Sequence, residues 1–218
     1  MIVGEQGAAG KCLETVVERW LRSDIDGTHL EASDERFVEL SRGAEQVPPG
    51  SDRLLFLPWL NGAGPPVSDN TARGGFLNQS LRSDAAHAYR AVLEGVAYNL
   101  RWMNSSIERL IGRSFATLNF IGGGARSALW CQILADVMYR PIRQVAEPTW
   151  AIVRGAALAG FVALDQIDLH GIAECVTIAK TYSPSIKNQR IHDTMFNAFL
   201  RAYKVNRRLF AQLNATDH

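Results

Sequence analysis

Phe120-Ile121-Gly122-Gly123-Gly124-Ala125-Arg126-Ser127 runs from the end of an apolar stretch, through three glycines, into residues with helical spacing. Leu118 to Ile121 reads as a strand, Gly122-Gly123-Gly124 as a tight turn, and Ser127 to Met138 as a helix with Ser127 at its N-cap. Glycine lets a backbone come close to a ligand. The free N–H groups of a helix start, with the helix dipole behind them, favour an anionic group such as a phosphate. Such a site would lie at the carboxyl end of the strand, where open α/β sheets hold their ligands. Taken alone, the segment reads equally well as a tight turn without a ligand.

Working outward, Pro141 to Val145 is another short strand and a helix of small residues follows from about Val153 to Leu164. Strand, helix, strand, helix predicts a largely parallel sheet with helices packed on it. Upstream, Tyr89, Val92, Leu93, Val96, Leu100, Met103, Ile107 and Leu110 keep an i, i+3, i+4, i+7 stripe between the caps Ser83 and Gly112. That helix needs a core, and it is expected to pack across the sheet. Leu54 to Leu57, closed by Pro58, has the form of a strand buried on both faces, and Asn61 to Gly75 that of a loop. Near the start, Leu13, Val16, Val17, Trp20 and Leu21 mark an amphipathic helix from Lys11 to Arg22, and Ser33 caps a shorter one that stops at Val47-Pro48-Pro49-Gly50. After Ser183-Pro184 a terminal helix runs from Asn188 to Leu213, with Arg201, Lys204, Arg207 and Arg208 as its solvated face.

Lys plus Arg (23) nearly balances Asp plus Glu (22), so a net charge of +1 supplies no field to gather nucleic acid or an acidic membrane. Cys12, Cys131 and Cys175 are odd in number and far apart, which suits reduced thiols of a cytoplasmic protein better than a disulfide framework or a zinc site. No export signal or membrane-spanning run is read. Two familiar phosphate motifs fail. Gly4 to Cys12 has Glu5 where a P-loop needs its first glycine and Cys12 where it needs Ser or Thr, and the dinucleotide fingerprint breaks at Ser127. His29, His87, His170, His192 and His218 show no metal-ligand spacing, Ser127 lacks a nucleophile elbow, and nothing positions Asp136 or Asp165 as a base.

Read together, the neighbours of the glycine turn resemble the FGGY family of carbohydrate kinases, in the pattern of its xylulose-kinase-like members. Leu54-Leu55-Phe56-Leu57-Pro58-Trp59-Leu60-Asn61-Gly62 is similar to the family's Leu-Pro-Tyr-Leu-x-Gly strand and loop, and Ala72-Arg73-Gly74-Gly75-Phe76 to its Ala-Arg-Gly-x-Phe element. His87 to Gly95 resembles the helix of the second signature, Gly122 to Asp136 the adenosine motif, and Arg154-Gly155-Ala156-Ala157 the Gly-Ala-Ala helix start. Two departures stand out. Asn78 occupies a signature glycine, and Gly62-Ala63-Gly64-Pro65-Pro66 lacks the charges of the family's Gly-Glu-Arg-x-Pro.

The resemblance implies an α/β lobe of the actin-like ATPase, ribonuclease H-like class: a mixed, mostly parallel sheet flanked by helices, over residues 1–170, with a C-terminal helical extension over 171–218. It implies transfer of the γ-phosphoryl of ATP, with Mg2+, to a sugar or polyol hydroxyl, and ATP and ADP as ligands. By position, Gly122, Gly123, Gly124 and Ala125 would line the adenosine and α-phosphate, Ser127 and Gln132 would flank the nucleoside, and Gly155 would permit close packing beside that pocket. The family's sugar-binding residues and catalytic Asp are expected ahead of Met1, so no catalytic residue is assigned and the chain alone is expected to be inactive. Sugar would bind only through an N-terminal lobe, from a separate chain if not from this one; a homodimer is the other partner implied. The alternative is a non-catalytic regulatory or interaction domain that keeps the kinase-lobe fold.

Overall fold

A computed structural model describes residues 9–21 and 34–214; the expected cap Ser33, the histidines His29 and His218 and the first part of the Gly4 to Cys12 stretch lie outside them. In chain order the elements are α1 (Ala9–Arg19), α2 (Asp34–Gln46), β1 (Leu55–Leu57), β2 (Gly75–Leu77), α3 (Ala85–Ile111) and β3 (Leu118–Phe120). They continue with α4 (Ala128–Met138), β4 (Ile142–Val145), α5 (Ala151–Ala163), α6 (Gly171–Glu174), β5 (Ile178–Tyr182) and α7 (Gln189–Asn214). The chain folds as two compact units. One holds the described residues up to Ser114 together with those from Ile186 onward, and the other is Phe115–Ser185.

In the first unit β1 and β2 form an antiparallel pair, Phe56 opposite Phe76, and α3 packs across β1 as its apolar stripe requires. The approach is tight at Gly95, where a Cβ would collide with the Phe56 carbonyl. The cap of α3 is Asp84, not Ser83. Its carboxylate accepts from the His87 N–H, and the His87 ring reaches back to the Asp84 N–H, a capping box with histidine in place of the usual Glu or Gln. Gly112 closes the helix at φ 68° as expected. Helix α1 ends one turn early because the N–H groups of Trp20 and Leu21 both bond the Val16 carbonyl, and Trp20 turns out to lie half-exposed against Phe76.

Helix α7 belongs to this core: Phe199 and His192 are fully buried, Phe199 stacks obliquely on Trp59, and Trp59 Nε1 donates to Asn99 Oδ1 at 3.1 Å. Arg101 ties α3 to α7 through Asp193 (2.7 Å) and the face of Phe196. Arg201, Lys204, Arg207 and Arg208 are exposed, as their spacing predicts, but Leu209 and Leu213 are exposed too. Below α3 the chain makes a left-handed turn with positive φ at Gly50, Ser51, Asp52 and Arg53. The buried carboxylate of Glu94 holds it, accepting from Gly50 N (3.0 Å), Ser51 Oγ (2.9 Å) and Arg90 Nε (2.9 Å).

In the second unit β4 lies between β3 and β5. The parallel pairing expected from the strand-helix-strand order is β3 with β4, Leu118 opposite Ile142; β5 pairs antiparallel to β4, as β2 does to β1. Helix α4 covers one face of this sheet with Trp130, Ile133, Leu134 and Val137 buried. The other face carries Asn119 and Arg143, which bond each other at 2.9 Å. No described helix is long and apolar enough to cross a membrane.

Candidate functional site

Strand β3 delivers the chain to Gly122, which adopts φ 84° and ψ −178°, a region open essentially to glycine alone. Its N–H donates to the Pro148 carbonyl at 2.8 Å, which pins the turn beside the Pro148–Trp150 turn that leads into α5. Gly123 to Arg126 then form one tight helical turn, so the expected run from glycines straight into the helix is interrupted, and α4 starts only at Ala128. Ser127 is the N-cap foreseen for it: its Oγ accepts from the Trp130 N–H at 3.2 Å.

The three glycines differ in what they permit. A Cβ on Gly124 would come 2.7 Å from the Trp130 ring and 3.2 Å from Phe120, two rings already packed edge to face, so Gly124 serves internal packing. A Cβ on Gly122 or Gly123 would meet nothing within 4 Å. The N–H groups of Gly123 and Gly124 open the turn, where no preceding turn supplies acceptors, and no backbone partner is seen for them among the described residues. The turn is therefore bare, donor-rich and unobstructed at Gly122 and Gly123, which suits an anionic ligand.

The other expected site residues divide. Ala125 is in the turn but fully buried, its N–H given to Gly122 and its carbonyl taken by Gln144 Nε2 at 2.6 Å, so only turn shape connects it to a ligand. Gln132 lies further along α4, its amide donating to Asp136 Oδ1 (2.8 Å) and the Ser183 carbonyl (2.9 Å). Gly155 has no neighbour within 4 Å of a Cβ, so the close packing expected of it finds no counterpart in this unit. The helix it belongs to is bare on that side.

The candidate bases have structural partners. Asp136 accepts from Gln132 and from the Ser185 N–H at 2.8 Å, anchoring the chain after β5, and Asp165 is an exposed residue at φ 54° beyond the end of α5. Asp69 accepts from Thr71 Oγ1, from the N–H groups of Thr71 and Ala72, and from Tyr203 Oη; the Thr71 hydroxyl leads in holding its carboxyl below the usual carboxylate range. Asn78, standing in for a glycine, takes φ 62° and steadies itself with a bond to the Arg53 carbonyl. What the sequence did not reveal is the Pro148–Trp150 turn as a wall of the glycine turn; Pro148 before a small-residue helix was the available signal.

Residues 5–164 match the model of the FGGY family of carbohydrate kinases, C-terminal domain. The gluconokinase of Bacillus subtilis (strain 168) is 26% identical over 203 residues, covering 91% of this chain and 39% of that protein. The xylulose kinase of the same organism is 30% identical over 175 residues, 79% of this chain and 34% of its own length. In three dimensions the chain is similar to the ligand-bound xylulose kinase of Lactobacillus acidophilus, with a TM-score of 0.74 at 24% identity over 94% of this chain and 39% of that one. It is similar also to the glycerol kinase of Plasmodium falciparum solved with ADP, with a TM-score of 0.68 at 18% identity over 89% of this chain and 37% of that one. The chain thus spans less than two fifths of the length of these relatives. With the glycine turn at the end of β3, the capped α4 and the helix α3 across β1 all inside or beside the matched stretch, this chain belongs to the FGGY family of carbohydrate kinases and corresponds to its C-terminal domain.

Proposed function

We propose that this chain is the nucleotide-binding part of an ATP-dependent kinase acting on a sugar or polyol hydroxyl, with a xylulose-like acceptor. The observation that carries the reading is the unobstructed backbone at Gly122 and Gly123, at the carboxyl end of β3 and ahead of the capped helix α4. The ADP bound to the glycerol kinase of similar fold supports the ligand class. In this reading Gly122 and Gly123 admit the adenosine and α-phosphate, and Gly124, Ala125 and Ser127 fix the turn's shape. Gln132 holds the far side of α4, and Gly155 lies on the neighbouring helix.

ATP supplies the transferred phosphoryl group, and Mg2+ accompanies it in the family. Among the described residues no group of three His, Cys, Asp or Glu side chains converges on a common point, so no step is assigned to the ion here. Phosphoryl transfer depends on positioning and electrostatic stabilisation of an in-line geometry. Asp69 and Asp136 both accept from backbone and side-chain donors, and neither is assigned here as the base for the acceptor hydroxyl. The chain by itself binds nucleotide and does not turn over sugar; catalysis requires the remainder of a kinase. A coupled assay for ADP release over a panel of xylulose, gluconate and glycerol tests this: turnover by the chain alone, above a Gly123→Val control, would overturn it.

A further inference from the structure

Gln144 breaks the pattern of its strand. Alternation along β4 puts it on the same side as Ile142, which is 2% exposed, where an apolar side chain would serve packing best. Its amide instead joins two other segments: Nε2 donates to the Ala125 carbonyl at 2.6 Å, and Oε1 accepts from Tyr182 Oη of β5 at 3.4 Å. The tyrosine bond fixes which end of the amide meets the glycine turn, because the reversed amide would set its oxygen against the Ala125 oxygen. Tyr182 is 7% exposed, and burial, with the neighbouring Cys131 after it, holds its hydroxyl above the ordinary tyrosine range, so it stays a donor. The β4–β5 ladder is irregular between Gln144 and Val145, an irregularity of the kind that re-aims side chains beside functional sites.

The glycine turn is held at its two ends. The Gly122 N–H is given to Pro148, and the Ala125 carbonyl takes Gln144 Nε2 from the sheet and Cys131 Sγ from α4 (3.6 Å), two donors for its two lone pairs. The Ala125 N–H closes the turn on the Gly122 carbonyl at 3.1 Å. Between these anchors lie the peptides of Gly123 and Gly124, which have no Cβ to limit their rotation, so the anchors set where their N–H groups point. We propose that Gln144, oriented by Tyr182, is a positioning residue of the nucleotide turn: it holds the Ala125 carbonyl against the sheet and thereby keeps the Gly123 and Gly124 N–H groups aimed for a phosphate. It touches no ligand itself. A donor carried on a central strand fixes such a turn more firmly than one carried on a loop. The proposal rests on the nucleotide reading above and names what gives that site its shape.

The test is ADP titration of the 15N-labelled chain and of two variants: Gln144→Met, which keeps the length and loses both bonds, and Tyr182→Phe, which keeps the ring. For Gln144→Met the Kd for ADP should rise about fivefold or more, the scale of one misdirected hydrogen bond. Tyr182→Phe should act in the same direction by a smaller factor and add little on top of Gln144→Met; full additivity overturns the coupling of the two residues. A merely structural role would lower Tm and leave the ligand-free turn as it is. A positioning role moves the ligand-free resonances of Gly123, Gly124 and Arg126, whose nitrogen shares the Ala125 peptide, while those of Ile133 to Val137 in α4 stay in place. Gln144→Glu accepts from Tyr182 but has no proton for Ala125 at neutral pH, so it should behave as Gln144→Met does and decides the matter where that variant does not fold. A parent-like Kd in either folded Gln144 variant, or unchanged Gly123, Gly124 and Arg126 resonances, overturns the proposal and leaves the nucleotide reading standing. No ADP-dependent shift in the parent chain overturns both.

Discussion

Replacing Glu94 by leucine removes the carboxylate that organises the inner side of α3. The side chain is 1% exposed and accepts from Arg90 Nε, Gly50 N and Ser51 Oγ, while Arg90, 5% exposed, keeps only the Ala44 carbonyl among the described residues. Stripping one partner from a buried ion pair costs about 3–5 kcal/mol, because the remaining charge is left uncompensated. Two buried donors also lose their acceptor, at about 1–3 kcal/mol each, although terms within one network overlap and do not add. A loss of at least about 3 kcal/mol is expected, which at about 2–4 °C per kcal/mol lowers Tm by about 6–12 °C or more. Arg90→Met, Glu94→Leu removes both charges and should recover the part of that loss owed to the uncompensated guanidinium, leaving the cost of the two donors at Gly50 and Ser51. Urea denaturation followed by far-UV circular dichroism measures all three proteins. A Glu94→Leu protein within about 1 kcal/mol of the parent, or a double variant no better than the single one, would refute the reasoning.

Further expectations follow from other sites. His87 lies between Asp84 (2.6 Å) and Asp52 (3.2 Å); burial works to lower its pKa, but the hydrogen bonds its ring donates to the two carboxylates outweigh it and hold the imidazole above its ordinary value. Its contribution to stability is therefore complete below about pH 6.5 and lost as pH rises through the folded pKa, so His87→Gln should flatten the pH dependence of Tm in that window. Asp84, held below the usual carboxylate range chiefly by the His87 N–H, loses its contribution only on acidification. A thiol reagent at neutral pH should modify Cys175 alone among the three cysteines, since burial pushes Cys12 and Cys131 up to about 11; rapid labelling of either in the folded protein, read by peptide mass spectrometry, would contradict this. Gly124→Ala should destabilise by about 1–3 kcal/mol as its methyl meets Trp130 and Phe120, whereas Gly123→Ala should leave Tm nearly unchanged.

The long elements were legible because burial writes itself into period. Leu93, Val96 and Met103 announce α3, Leu55 to Leu57 announces β1, and Ser127 announces the start of α4. Strand β2 escaped because it is three residues inside a Gly-rich loop, held by pairing with β1 and by the Phe56–Phe76 ring contact, neither of which is local information. Strand β5 escaped because Ala179, Lys180 and Thr181 are exposed on an edge and show no alternation. The His87 box was hidden by its residue type, and the role of Glu94 depends on a turn more than forty positions away. At the glycine turn no local pattern separates Gly124, which packs, from Gly123, which opens outward; that distinction is made by Trp130 and Phe120 in three dimensions. The bareness of α5 was equally invisible, since an apolar helix reads as buried wherever it occurs.

The central claim is tested most directly by titrating 15N-labelled chain with ADP while following the amide resonances of Gly122, Gly123, Gly124 and Ser127. Saturable shifts confined to this turn and its neighbours, with Kd on the order of 0.1–1 mM, are predicted for the parent chain. Gly123→Val should abolish them without loss of fold, because its side chain enters open space. No ADP-dependent change at these amides at millimolar ligand, or unaltered binding by a folded Gly123→Val protein, would contradict the account.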